Sequence, residues 1–189
     1  ESVEAMFDDA VSCIRAAGLE PGKQMSLAGD VASSHFVTDD GRYDLVDAVL
    51  SPKQMIERVA GWVAGWPIIS IEDGLAENDW AHWPELRRAL SGKAMVLGDD
   101  FLCTNPGRIR RAIEGGCCNA LLLKVNQIGT LTEAAEAIKL ARGAGWRVTV
   151  SARSGETEDG WLADLATGWA GDQIKVGSVQ QSERLAKYN

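Results

Sequence analysis

Six short apolar runs in this chain each lead into a charged or polar residue. Met25–Leu27 precedes Asp30, Ile68–Ile71 precedes Glu72, and Ala94–Leu97 precedes Asp99. Ala120–Leu123 precedes Lys124, Arg147–Val150 precedes Ser151-Ala152-Arg153-Ser154, and Gln173–Ile174 precedes Lys175. Asp30, Glu72 and Asp99 offer hard oxygen ligands with no nitrogen or sulfur, a donor set suited to Mg2+ completed by waters and substrate oxygens. Lys124, closing Ala-Leu-Leu-Leu-Lys, is partly desolvated and a candidate general base. Lys175 can neutralise substrate charge. Arg153 with Ser154 offers a guanidinium fork and a hydroxyl, a natural phosphate clamp. Singly, each has a plainer explanation: helix caps or surface acids, a lysine snorkelling at a sheet edge, a stray Arg-Ser pair. Together they describe a site for a metal and an anionic substrate.

The elements that must position these residues follow from the same runs. A buried parallel strand reads as a short apolar run, and a charge at its C-terminal end must leave the core. Between the runs lie helical stretches. Residues 2–17 put Val3, Met6, Phe7, Ala10, Val11 and Ile14 on one face, and Gly18 with Pro21-Gly22 ends that helix. Residues 37–49 read as a polar loop with a turn at Asp39-Asp40-Gly41. Ser51-Pro52-Lys53-Gln54 is a capping box opening a helix that buries Met55, Ile56, Val59, Trp62 and Val63. Further helices are expected around Pro84–Leu90, from Asn105-Pro106 to Gly115-Gly116, from the capping box Thr130-Leu131-Thr132-Glu133 to Gly145, around Gly160–Trp169, and from Ser182 onward. Strand–helix alternation at this spacing predicts βα units and a parallel sheet. Functional residues at every strand end favour a (β/α) TIM-type barrel, here about six βα units in one domain over residues 1–189. An eight-unit barrel takes about 250 residues, so the barrel is expected to be incomplete.

Composition narrows the function. The chain has 189 residues, 46% of them apolar, enough for a real core. A net charge of −8 argues against nonspecific nucleic-acid or anionic-membrane binding. No apolar run approaches the roughly 20 residues that span a bilayer, and no signal peptide is recognisable. The first residue, Glu1, points to a processed, trimmed or incomplete chain. Cys13, Cys103, Cys117 and Cys118 lack zinc-finger spacing, and adjacent Cys117-Cys118 is a poor disulfide pair. They read as reduced thiols of a cytoplasmic protein. With only His35 and His82, a histidine-based zinc site or triad is not expected, and His35 is given no role. Asp73, Asp100, Glu156, Glu158 and Asp159 read mostly as solvated or supporting acids, and the seven tryptophans mainly as packing residues.

Longer motifs carry a resemblance. Ser70-Ile71-Glu72-Asp73-Gly74-Leu75-Ala76-Glu77, and Gly98-Asp99-Asp100-Phe101 with Thr104-Asn105-Pro106, resemble metal-binding segments of enolase. Leu121-Leu122-Leu123-Lys124-Val125-Asn126-Gln127-Ile128-Gly129-Thr130 is similar to the family's most recognisable signature, and Arg153-Ser154-Gly155-Glu156-Thr157-Glu158-Asp159 to its substrate loop. Gln173-Ile174-Lys175 and Ser182–Asn189 resemble its C-terminal region. The resemblance runs over essentially the whole chain.

The enolase resemblance implies a carbon–oxygen lyase of glycolysis that interconverts 2-phosphoglycerate and phosphoenolpyruvate with Mg2+. It implies Asp30, Glu72 and Asp99 as metal ligands and Lys124 as the base, with Lys175 beside it as a catalytic residue. Glu72, Asp99, Ser151, Arg153, Ser154 and Lys175 would contact the small phosphorylated substrate. It also implies a homodimer in the complete protein. Departures accompany it. Ala152 stands where the family has a substrate-contacting histidine in Ser-His-Arg-Ser. The family's N-terminal domain and first barrel strands, with the general-acid glutamate and a mobile lid, are expected outside these residues, as is the rest of its last helix. Ala28-Gly29 before Asp30, His35 and Val176–Gln180 also differ. These departures leave room for a paralogue acting on a phosphonate, such as a carboxyphosphonoenolpyruvate synthase, for a noncatalytic binding protein, or for a partial barrel completed by a partner chain.

Overall fold

A computed structural model describes residues 2–189. They fall into two compact units, up to Leu97 and from Gly98 onward, with the division inside a strand.

The first unit begins with helix α1 (Val3–Ala16), capped by Ser2, whose hydroxyl accepts the Ala5 N–H at 3.2 Å. Only Val11 and Ile14 of its apolar face are buried, and Met6 is 55% exposed. Strand β1 (Leu27–Asp30) follows, then a short hairpin of β2 (Tyr43–Asp44) and β3 (Val49–Leu50) inside the segment expected as loop. Helix α2 (Pro52–Gly65) opens on the expected Ser51–Gln54 capping box and buries the five expected residues. The indole N–H groups of Trp62 and Trp66 reach back to α1, donating to Glu4 Oε1 at 2.8 Å and Asp8 Oδ1 at 2.9 Å. The Trp62 bond holds the Glu4 carboxyl below the usual carboxylate range. Strand β4 (Ile68–Glu72), helix α3 (Trp83–Ala89) and strand β5 (Met95–Gly98) complete the unit. The strands lie parallel in the order β1–β4–β5. β1 alternates half-buried and exposed residues rather than forming a buried run, because it has β4 as its one neighbour.

The second unit contains α4 (Pro106–Gly115), β6 (Ala120–Leu123), the short α5 (Val125–Ile128), α6 (Leu131–Gly143), β7 (Arg147–Ser151), α7 (Trp161–Gly168), β8 (Gln173–Lys175) and α8 (Ser182–Tyr188). Asn105 caps α4, its side-chain oxygen accepting N–H groups of Gly107 and Arg108 at 2.9 and 3.1 Å. β6, β7 and β8 are parallel neighbours in that order. Ala120 to Leu123 are all fully buried, and α6 covers β6 and β7 with Ala134, Ala137, Ile138 and Ala141. Each buried leucine of β6 contributes about 1.5–3 kcal/mol of apolar transfer. Strand–helix alternation thus gives the α/β architecture expected, six parallel strands among the described residues in two sets of three. The four cysteines are free thiols. Cys117 and Cys118 are buried, and burial pushes the Cys117 thiol pKa up.

Candidate active site

Every residue expected to do chemistry lies at or just past the C-terminal end of a parallel strand, where a side chain can leave the core. In the first unit, Asp30 and Glu72 are register partners across the β1–β4 ladder. Register partners share a face, about 4.8 Å apart along the hydrogen-bonding direction. Glu72 is 4% exposed, whereas Asp30 is open to solvent.

The chain turns sharply after Glu72. Asp73 takes a left-handed backbone (φ +43°), uncommon for a residue other than glycine. Its N–H donates to the Leu97 carbonyl at 3.0 Å, and its carbonyl accepts the Ser33 N–H at 3.1 Å. Gly74 permits the turn because a Cβ there would lie 3.0 Å from both Ile71 and Leu86. Asp73 is 3% exposed, so of the two expectations for it, solvated or supporting, burial fits the supporting one. Strain of this kind gathers at functional sites.

Downstream, the Tyr43 hydroxyl donates to Asp79 Oδ2 at 2.9 Å and accepts the Ala76 N–H at 3.0 Å. His82 Nδ1 pairs with the other Asp79 oxygen at 2.6 Å. Burial, with Asp79 alongside, drives the Tyr43 pKa well above the ordinary phenol value. The hairpin thereby anchors the loop that leaves Glu72.

In the second unit, Lys124 and Asp99 form an ion pair between Nζ and Oδ2, their side chains 12% and 10% exposed. Asp99 follows Gly98, where a Cβ would come within 2.6 Å of Leu102 Cγ, so glycine lets the chain fold back onto Leu102. Asp99 and Asp100 bring carboxylate oxygens within 4.8 Å of one another. The 99–105 segment then makes two left-handed residues in a row, Cys103 (φ +50°) and Thr104 (φ +53°). That turn aims the fully buried Thr104 hydroxyl at the end of β6, where it accepts the Lys124 N–H at 2.9 Å. Lys124 is therefore fixed at its backbone by Thr104 and at its head by Asp99. Sequence reasoning missed Thr104, because Thr-Asn-Pro reads as a helix start and its contact lies 20 residues away.

β7 and β8 bring Ser151 and Lys175 together as register partners. Ser151 is buried, its hydroxyl donating to the Ala152 carbonyl at 2.9 Å, and the Ala152 N–H donates to the Lys175 carbonyl at 2.9 Å. Arg153 and Ser154 are exposed just beyond. The Arg153 guanidinium makes no ion pair among the described residues, and the Arg153 N–H donates to Glu156 Oε1 at 3.0 Å. Such an arrangement presents an uncommitted cation and a hydroxyl to solvent.

The acids in both units are hard oxygen donors at strand ends, unmixed with histidine or cysteine, and this donor chemistry fits a small divalent cation such as Mg2+. No helix among the described residues is long and apolar enough to cross a membrane.

Comparison with known families gives a match over the whole length. The profile of the enolase C-terminal TIM barrel domain covers residues 1–189. The chain therefore belongs to the enolase family, as its C-terminal TIM-barrel domain.

Proposed function

We propose that this chain carries the proton-abstraction chemistry of a Mg2+-dependent lyase interconverting 2-phosphoglycerate and phosphoenolpyruvate. The observation that carries the reading is Lys124. It is a nearly buried lysine at a strand end, gripped at its N–H by Thr104 and at its Nζ by Asp99. A base that must meet one carbon-bound proton needs that degree of positioning.

In this reading Lys124 first gives its ammonium proton to solvent, and the neutral amine then takes the proton from the carbon next to the substrate carboxylate. The electron pair of that C–H bond becomes the carbon–carbon double bond. The hydroxyl on the neighbouring carbon departs as water, with a proton from a general acid that the family supplies outside the residues described here. Asp30, Glu72 and Asp99 would hold Mg2+, which supplies positive charge to stabilise negative charge developing on the substrate carboxylate. Lys175, Ser151, Arg153 and Ser154 would hold the substrate's anionic groups. A cytoplasmic homodimer is the assembly we propose for the complete protein.

One observation favours a second reading. Ala152 is 9% exposed between Ser151 and Arg153, where the family's histidine would contact substrate. A paralogue that keeps the enolate chemistry on a related phosphonate fits that change.

The test is exchange of the α-proton of 2-phosphoglycerate in deuterated water by the natural polypeptide and its Lys124→Met variant. Exchange in the parent that disappears in the variant supports the proposal. No exchange with 2-phosphoglycerate, but exchange with a phosphonate analogue, selects the paralogue. Absence of both sinks the lyase reading.

A further inference from the structure

We propose that α8 is the buckle of the anion clamp, with Lys187 the positioning residue that holds Arg153 and Ser154 in place. This inference rests on the reading above that Arg153, Ser154 and Lys175 receive the substrate's anionic groups.

Lys187 is 4% exposed, with its side chain wholly inaccessible. A buried ammonium survives only where its donors are satisfied. Here Nζ donates to the backbone carbonyls of Thr157 at 2.7 Å, Asp159 at 3.0 Å and Glu183 at 3.0 Å, so all three protons are used. Glu156 Oε2 lies 3.5 Å away and supplies the opposing charge. The other oxygen of that same carboxylate accepts the Arg153 N–H. One carboxylate thus ties the buried lysine to the backbone of the clamp arginine. Lys187 cannot reach a ligand itself, and the proposed chemistry makes no other use of it.

The same helix grips the other arm. Arg184 Nη1 donates to the Val176 carbonyl at 3.2 Å, and the Tyr188 hydroxyl donates to the Gly177 carbonyl at 2.6 Å. These are the two residues that follow Lys175. Gly177 is left-handed (φ +121°), and a Cβ there would fall 1.5 Å from Arg184 Nη1. Glycine is required for Arg184 to lie so close. One short helix therefore moors the loop after β7 and the exit of β8, whose ends carry the register pair Ser151 and Lys175.

The test uses the natural polypeptide, with inorganic phosphate as the probe. Affinity is read by titration calorimetry and the Arg153 amide by hydrogen exchange, both below the unfolding transition. The variants are Lys187→Met, Glu156→Gln and, as a control, the exposed Lys139→Met. Lys187→Met should weaken phosphate binding about tenfold or more and speed exchange at Arg153, as expected when a positioned group is loosened. Glu156→Gln should move both in the same direction by less, and Lys139→Met should move neither. A merely structural Lys187 would lower thermal stability and leave phosphate affinity in the folded protein unchanged. That result, or a parent that binds no phosphate, overturns the inference. If Lys187→Met does not fold, Glu156→Gln decides alone. A parent that exchanges no α-proton, yet binds phosphate and loses it in both variants, overturns the lyase reading while upholding the buckle.

Discussion

Replacing Thr104 by valine tests whether a hydroxyl remote in sequence fixes the candidate base. Valine is isosteric and also β-branched, so the strain of the left-handed backbone at this residue is the same in both proteins. The difference is the oxygen. Thr104 is fully buried, so water does not replace it as acceptor for the Lys124 N–H. A buried donor left unsatisfied costs about 1–3 kcal/mol. The hydroxyl's other contacts, to the Leu122 carbonyl at 3.4 Å and Gln127 Oε1 at 3.3 Å, are long and add little. Thr104→Val should therefore lose about 2 kcal/mol in urea unfolding, enough to measure and too little to unfold a domain holding about 5–15 kcal/mol. Thr104→Ser keeps the oxygen and deletes one methyl, for about 1 kcal/mol. Below the unfolding transition, Thr104→Val should also slow Lys124-dependent α-proton exchange about tenfold, while Thr104→Ser stays near the parent. A Thr104→Val protein within about 0.5 kcal/mol of the parent would refute the reasoning, since the N–H would then have found another acceptor.

Further consequences concern charge and metal. Asp172 is partly desolvated, which raises its pKa. The Val148 N–H at 2.8 Å and the guanidinium groups of Arg142 and Arg147 outweigh this and hold it below the usual value. A depressed carboxyl contributes stability that is complete above its unfolded-state pKa and is lost as pH falls through its folded-state pKa. Asp172→Asn should thus lower stability near neutrality, and the gap to the parent should close on acidification below about pH 4, as read by urea midpoints against pH. Adding Mg2+ to chelator-treated protein should raise the thermal midpoint, and Asp99→Asn should abolish that rise; an equal rise in the variant would remove Asp99 from the proposed ligand set. Ala152→His should raise kcat/KM for 2-phosphoglycerate about tenfold or more if the alanine is a lost substrate contact. An unchanged value, with turnover of a phosphonate analogue reduced, would favour the paralogue.

The features legible in the sequence were those that local pattern and burial dictate. Five of the six apolar runs coincide with strands, β1 lying mostly past its run, and the charge after each run marked the strand end; that Asp30 pairs with Glu72 and Ser151 with Lys175 is a matter of register that the runs do not encode. The Ser51 cap was readable because its partner lies three residues away. The hairpin of β2 and β3 was not, since two-residue strands leave no period to detect. The burial of Asp73 was not readable, because its left-handed turn is a tertiary outcome. Lys187 lay in a segment resembling the family's C-terminal region, but nothing in the sequence marked it as buried. A lysine near a chain end reads as solvated, and only three carbonyls contributed by other segments and its own helix make burial tolerable.

The second unit treats its two kinds of cation in opposite ways, and the chemistry explains why. Lys124 is committed at both ends before any ligand arrives. A proton-transfer group gains from this, because misplacement by a fraction of an ångström costs rate at every turnover. Arg153 is exposed, with its guanidinium uncommitted, while only its backbone is held through Glu156. An anion receptor gains from that arrangement, since an internal carboxylate on the guanidinium would have to be displaced by each incoming phosphate. Fixing the loop while leaving the side chain open lowers the ordering cost of binding without introducing a competitor. It follows that moving the restraint from backbone to side chain should be harmful. Ser154→Asp, which sets a carboxylate beside Arg153, should weaken phosphate binding more than Ser154→Ala does, and a high-salt titration should narrow the difference by screening the added charge. Equal losses in the two variants would mean that the clamp depends on the Ser154 hydroxyl and not on keeping Arg153 free.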